Sequence, residues 1–203
     1  MTPPNKLQSI LDKIVDLPAE YVERSLYKDR NELMMLCDNI IANDVNNIIE
    51  IGTYGGVASA VFSSIIKGNV YTININDSEI SRAKSLWDTL NINNIIQIKG
   101  SSLTELPQLV NEIPDVGFIY VDGNHDIPYA MQEFEIIKNS QVKDGDCLVY
   151  FDDGPLAGVM QAIHTHNLTT VTGRDWMLKD EEKKEGGGTL RAYHKFGNFR
   201  LTI

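Results

Sequence analysis

The sequence predicts an α/β fold, a mostly parallel sheet covered by helices on both faces. Three observations carry that expectation. Short β-branched runs alternate with helix-like segments from about residue 46 onward. The runs are apolar throughout, as in strands buried on both faces, and do not alternate apolar with polar. Each run ends in glycine or polar residues, the boundary expected where a strand gives way to a loop and then a helix. The 203 residues suit one domain around one core. That domain divides into a helical segment (1–45), a binding core (46–155), and a C-terminal helix, loop and strand pair (156–203).

Residues 5 to about 45 read as helical. Leu7, Ile10, Leu11, Ile14 and Val15 recur at the helical period, as do Leu33, Leu36, Cys37, Ile40 and Ile41, with a break at Pro18. Asn47–Ile51 (NIIEI) is the first strand; it runs into GTYGG and a helix, VASAVFSSIIK. Residues 70–75 (VYTINI) form the second strand, followed by a helix over about 78–90. Ile95–Lys99 (IIQIK) is the third, followed by a short helix at 104–111. Residues 117–121 (GFIYV) are the fourth, followed by a helix through MQEFEIIKNS. Residues 147–151 (CLVYF) are the fifth, ending in Asp152-Asp153-Gly154, with a helix over about 156–166. Residues 169–171 suggest a sixth strand. GGGTLRAYHKFGNFRLTI reads as a glycine-introduced strand pair turning at Gly197-Asn198, and the acidic segment 180–188 as a loop.

Composition narrows the partners. The formal net charge is −10, the wrong average sign for DNA or RNA, so a small molecule is the expected partner and nucleic acid is not. No apolar run approaches the ~20 residues needed to cross a bilayer, and the N-terminal residues lack a basic segment leading into an apolar one. Cys37 and Cys147 are too few for a disulfide framework and read as buried free thiols. The expected address is cytoplasmic, with no membrane partner.

In an open parallel sheet, ligands bind beyond the carboxyl ends of the strands, where strand order reverses. The residues there are GTYGG, Asn74, Ser101-Ser102, Asp122 to His125, and Asp152-Asp153. Glycines between strand and helix permit a tight turn and close approach of a ligand to the backbone. The segment Glu50-Ile-Gly52-Thr-Tyr-Gly55-Gly56 is neither the regular dinucleotide fingerprint nor a P-loop, which weighs against NAD. Glu50, two residues before the first glycine, can orient the loop or meet a cationic ligand.

Glu50 to Gly56, followed by the small residues Ala58, Ser59 and Ala60, resembles motif I of class I S-adenosylmethionine-dependent methyltransferases. Within that class the sequence is most similar to the catechol and macrocin-type small-molecule O-methyltransferases. The likeness continues through VYTININDS, IIQIKGSS, FIYVDGNHD and LVYFDDG, covering roughly residues 45 to 155. It implies a Rossmann-like three-layer sandwich with N-terminal helices and a mostly parallel seven-stranded sheet, one strand antiparallel near the C-terminus. It further implies that Gly52, Thr53, Tyr54 and Gly56 cradle the methionine part of S-adenosyl-L-methionine, and that Ser102 contacts adenine. The family usually carries an acid at the end of the second strand to accept hydrogen bonds from the ribose. This chain has Asn74, 22 residues after Gly52. An amide oxygen accepts a bond without the charge that strengthens it; Asp77 is an alternative acceptor, and Asn74 is alternatively a cap on the strand end.

The acidic cluster is the sharpest chemical signal. Asp122 closes the fourth strand, and Asp152 and Asp153 close the fifth, 30 and 31 residues later. On neighbouring strands ~4.8 Å apart, the three carboxylates converge and call for a compensating cation or proton. Hard oxygen ligands suit Mg2+, and the resemblance implies the same, since metal-dependent O-methyltransferases bind Mg2+ with acids at these positions. A helix-capping role for Asp152 or Asp153 is the alternative. Asp122 also belongs with the cofactor site. His125, three residues on, is the candidate general base; a pKa near ~6.5 suits it to accept a hydroxyl proton at neutral pH. Orienting Asp122 or a substrate is its alternative role.

His164 and His166 end a helix and are not expected to bind metal. Trp87 reads as packing; Trp176, Met177 and Tyr193 read as core packing, with the wall of an acceptor pocket as the alternative. The function expected is Mg2+-dependent O-methylation of a small-molecule hydroxyl on a sugar, a catechol-like diol or a natural product. The competing readings are a non-catalytic binder of adenosyl ligands and a different Rossmann-like nucleotide-dependent enzyme. The resemblance allows a homodimer, and no residue pattern decides it.

Overall fold

The computed structural model describes residues 4–15, 30–124, 126–144, 147–152 and 192–195. Helices α1 (Pro4–Val15) and α2 (Arg30–Ala42) precede strand β1 (Asn47–Ile51). Then follow α3 (Val57–Ile65), β2 (Val70–Asn74), α4 (Asp77–Thr89), β3 (Ile95–Lys99), α5 (Ser102–Glu112), β4 (Val116–Val121) and α6 (Ile127–Lys138). A 3-10 turn (Gln141–Asp144) leads to β5 (Leu148–Phe151), and β6 (Ala192–Lys195) completes the described elements.

Among the described residues the sheet has six strands in the order β3-β2-β1-β4-β5-β6, parallel except for β6, which runs antiparallel to β5. Of the seven strands expected from sequence, six lie among the described residues. The candidate at 169–171, the helix at 156–166 and the turn at Gly197-Asn198 lie outside the described residues. The helices after β2 and β3 begin earlier than the sequence suggested. Asn76 caps α4 by accepting from the backbone N–H groups of Ser78 and Glu79, and Ser101 caps α5 by accepting from Leu103.

The apolar strands follow from burial on both faces. Ile48, Phe118, Tyr120, Leu148 and Tyr150 pack with α1, α2 and α3 through Leu11, Leu36, Ile40 and Phe62. Their neighbours Ile49, Ile119, Val149 and Phe151 pack on the opposite face with Leu106, Val110, Phe134 and Ile137 from α5 and α6. Each such side chain contributes about 1.5–3 kcal/mol by leaving water. Phe62 meets Phe118 and Tyr120 edge to face, and Tyr120 stacks on Tyr150 at 5.8 Å between centroids. Cys37 and Cys147 are free and buried, and burial pushes both thiols up to about 12. No described helix is long and apolar enough to cross a membrane.

This topology places the chemistry. The chain moves outward from β1 to β2 and β3, then crosses to β4 on the other side of β1. Order reverses there, so the loops after β1 and β4 diverge and leave a crevice at the carboxyl edge. The ladder continues one residue past the strands. Gly52 N–H donates to Ile73 O (3.0 Å), Asp122 N–H to Ile51 O (2.8 Å), Gly100 N–H to Asn74 O (3.0 Å) and Asp152 N–H to Val121 O (2.9 Å). The loops thus leave the sheet at one level.

Candidate ligand pocket at the switch point

The β1 loop is shaped by close backbone contact. Gly52 has φ +94°, and a Cβ there would lie 2.0 Å from the carbonyl oxygen of Asp122. Only glycine meets both conditions. Tyr54 (φ 44°) and Gly56 (φ 77°) are also left-handed. A Cβ on Gly56 would meet Ala83 and Trp87 at 2.7 Å, and the Trp87 indole N–H donates to Gly56 O at 2.8 Å. Trp87 is core packing, as expected, and it also ties the loop to α4. The Arg82 guanidinium sits 4.6 Å from the centroid of the Tyr54 ring.

Glu50 lies beneath this loop, fully buried. The hydroxyls of Ser59 and Thr72 both donate to its Oε2, and Thr72 also shares a 2.6 Å hydrogen bond with Thr53. Burial raises the Glu50 carboxyl from 4.5 to about 7, against the lowering effect of its hydroxyl donors. Of the motif residues, Gly52 and Tyr54 line the pocket. Glu50, Thr53 and Gly56 are buried and are not among the residues that line it. Glu50 organises β1, β2 and α3 from below.

On the β2 side, Asn74 is 8% exposed and uses both polar atoms inside the protein. Its Oδ1 accepts from Asn76 N–H at 3.0 Å, and its Nδ2 donates to Glu79 Oε2 at 3.0 Å. Asp77, the alternative acceptor, is exposed and paired with Lys99 at 2.7 Å; it does not line the pocket. Ser102 does, and its hydroxyl donates to Glu133, a fully buried carboxyl on α6. Burial raises Glu133 to about 7, opposed by that bond, and its Oε2 has no hydrogen-bond partner among the described residues.

On the β4–β5 side, the Tyr120 hydroxyl donates to Asp152 Oδ2 at 2.5 Å and lies 3.3 Å from Asp122 Oδ2. Burial, then the charges of Asp122 and Asp152, push this phenol well above its usual range. Two of the three acids expected to converge therefore meet at one hydroxyl. Asp152 is buried and sits behind the pocket, whereas Asp122 lines it. Asp153 and His125 lie outside the described residues, as do His164, His166, Trp176 and Met177. Among the described residues no three His, Cys, Asp or Glu side chains form a metal-binding group.

The resulting pocket encloses about 260 Å³. Four strand ends line it: Gly52 and Tyr54 after β1, Asn74, Ile75 and Glu79 after β2, Gly100 to Ser102 after β3, and Asp122 to Asn124 after β4. Tyr129 adds an aromatic wall from α6. Sequence reasoning missed Glu79, Glu133 and Tyr120. The pattern Asn76-x-x-Glu79 could have drawn attention to Glu79, since it is a capping-box spacing; nothing local marks the other two.

A family model described as a methyltransferase domain matches residues 49–154, just over half of the chain. No curated protein matches the sequence. Among solved structures, an O-methyltransferase from Bacillus cereus in complex with SAH superposes with a TM-score of 0.59 at 21% identity, covering 80% of this chain and 79% of that one. A Staphylococcus aureus protein provisionally assigned as a caffeoyl-CoA O-methyltransferase gives 0.57 at 26% identity, covering 78% and 71%. An rRNA methylase from Streptococcus thermophilus gives 0.51 at 14% identity, covering 64% and 76%. Proteins with acceptors of such different size share this sheet, so the fold alone does not fix the acceptor. The matched residues run from β1 through the pocket to the end of β5, and on that ground the chain belongs to the methyltransferase-domain family, on the Rossmann-like fold of the class I S-adenosylmethionine-dependent enzymes.

Proposed function

We propose that this protein is an S-adenosylmethionine-dependent O-methyltransferase that acts on a small-molecule hydroxyl with the help of Mg2+. One observation carries the reading: a left-handed glycine loop and two carboxylates, Glu79 and Asp122, line a single pocket at the point where strand order reverses. An acidic pocket of this size suits a cationic small ligand, and the net charge of −10 favours a small acceptor over nucleic acid.

Methyl transfer to oxygen breaks the sulfur–methyl bond as the oxygen–methyl bond forms, and the acceptor's proton must leave. Bound S-adenosylmethionine supplies an already activated methyl group, so the protein's task is alignment and exclusion of water. Gly52 and Tyr54 would hold the methionine part, with Thr53 and Gly56 fixing their loop from beneath. Ser102 would approach the base from the end of β3. Its hydroxyl proton is directed to Glu133, which leaves the Ser102 oxygen as an acceptor for an amino group.

The residues fit a hard cation in part. Asp122 and Asp152 bring carboxylate oxygens from adjacent strands to the same hydroxyl, and Asp153 follows directly in sequence. Together these three would hold Mg2+, whose chemistry when bound is to lower the pKa of an acceptor hydroxyl. His125 would take the proton.

Calorimetric titration with S-adenosylmethionine, NAD and a UDP-sugar tests the cofactor; binding of the first alone is expected, and its failure to bind ends the reading. A product assay on sugars, catechols and other diols then tests the metal. Asp152→Ala and EDTA should each abolish transfer and leave S-adenosylmethionine binding largely intact. Full turnover in both cases rules out the metal role. Methylation of RNA in place of every diol would overturn the acceptor class.

A further inference from the structure

We propose that Glu79 reads the ribose of the bound adenosyl ligand, accepting hydrogen bonds from its vicinal hydroxyls; this rests on the S-adenosylmethionine reading above. The argument begins at Asn74, which ends β2 at the pocket wall. Its amide oxygen is taken by the Asn76 N–H and its amide nitrogen by Glu79, so it acts as a bracket for Glu79.

The helix start explains why Glu79 is available. In a capping box, a Glu three residues after the cap reaches back to the cap's backbone N–H. Asn76 is the cap of α4, and Asn74 Oδ1 already satisfies that N–H. Glu79 is thereby released from the reciprocal bond. Its carboxylate lies between two amide groups instead, at 3.0 Å from Asn74 Nδ2 and 3.4 Å from Asn76 Nδ2, on the pocket wall. An ionised carboxylate has about four acceptor sites. Two amide donors orient it and leave sites for a ligand's donors. Neighbouring hydroxyls on one sugar ring match two carboxylate oxygens, and the bonds are charge-assisted.

The other carboxylates in the region are engaged differently. Asp77 faces Lys99 outside the pocket, and Asp122 sits by Tyr120 on the far side of β1. Asparagine at position 74 also gains a reason. Its amide N–H₂ supports the Glu79 carboxylate, whereas an aspartate there would repel it.

The test compares S-adenosylhomocysteine with its 2′-deoxyribose counterpart, titrated into the wild-type protein, Glu79→Gln and Glu79→Ala. The wild type should prefer the ribose form by about 10- to 100-fold, the range for the one charge-assisted hydrogen bond that the missing 2′-hydroxyl would have made. Both variants should lose most of that preference and bind S-adenosylhomocysteine correspondingly more weakly, with melting temperatures and circular dichroism unchanged. If the wild type binds S-adenosylhomocysteine and both variants keep its affinity and preference, Glu79 does not read the sugar and the cofactor reading stands. If the wild type lacks the preference, the inference fails without any variant. If it binds neither ligand, the cofactor reading itself has failed and the inference goes with it.

Discussion

The two sides of the pocket keep their shape by different means. Between β1 and β4 the chain packs too closely for a side chain: Gly52 leaves no room for a Cβ beside the backbone oxygen of Asp122, and a Cβ on Gly123 would lie 2.9 Å from the Ile51 side chain. Between β2 and β3, side chains do the work, through the Asn74–Asn76–Glu79 lattice and the Ser102–Glu133 bond. The first side is fixed by excluded volume, which admits no small adjustment. The second is fixed by hydrogen bonds and charge, which a substitution can tune. Steric walls should therefore fail abruptly, and polar walls by degrees.

Gly52→Ala should give the largest effect. It combines a left-handed φ with a collision against a carbonyl oxygen, so the loop must move or the strands must part. A loss of at least about 2 kcal/mol is expected, together with loss of S-adenosylhomocysteine binding. Denaturant unfolding and calorimetry measure the two, and a variant with wild-type values in both would dissolve the contrast.

The two buried glutamates sharpen it. Glu50, from β1, and Glu133, from α6, are each raised to about 7 by burial. A carboxyl that holds its proton more tightly when folded favours the native state at low pH. Stability from each is therefore fully present below about 4.5 and is lost as pH rises through about 7. Glu50→Gln should remove part of that slope, so its stability relative to wild type rises between pH 5 and pH 8 by up to a few kcal/mol. Unfolding curves across that range check it, and a constant difference would show that Glu50 is not protonated in the native protein.

Glu133→Gln should change the pH slope in the same direction and do one thing that Glu50→Gln does not. Through Ser102 it reaches the pocket, so S-adenosylhomocysteine affinity should fall about 3- to 10-fold, the worth of one redirected neutral hydrogen bond. Glu50→Gln should leave that affinity alone. Equal effects of the two variants on binding would erase the distinction between a carboxyl sealed in the core and one coupled to the ligand.

Much of the frame was legible in the residues. Five strands lie within a residue of the positions their β-branched runs indicate, because strands buried on both faces are written as continuous apolar sequence. The glycine loop was legible because left-handed turns against a neighbouring backbone select glycine. The polar strand ends followed, since parallel strands direct all their C-terminal loops to one edge. What those polar ends touch was not legible. Glu50, read as orienting the loop or meeting a cationic ligand, is buried with its carboxylate on Ser59 and Thr72, and Asn74, read as a weak ribose acceptor or a strand cap, uses both of its polar atoms on residues of its own chain.

The sequence by itself thus determined which segments are strands, where they turn and which side chains stand near the carboxyl edge, since these depend on local periodicity and backbone freedom. Only the tertiary structure decided who faces whom. It set β1 between β2 and β4, brought Asp122 and Asp152 to one tyrosine hydroxyl, buried Glu133 under Ser102 and left Glu79 on the pocket wall. Strand order and hydrogen-bond partners are properties of contacts between residues distant in sequence, and no local pattern encodes them.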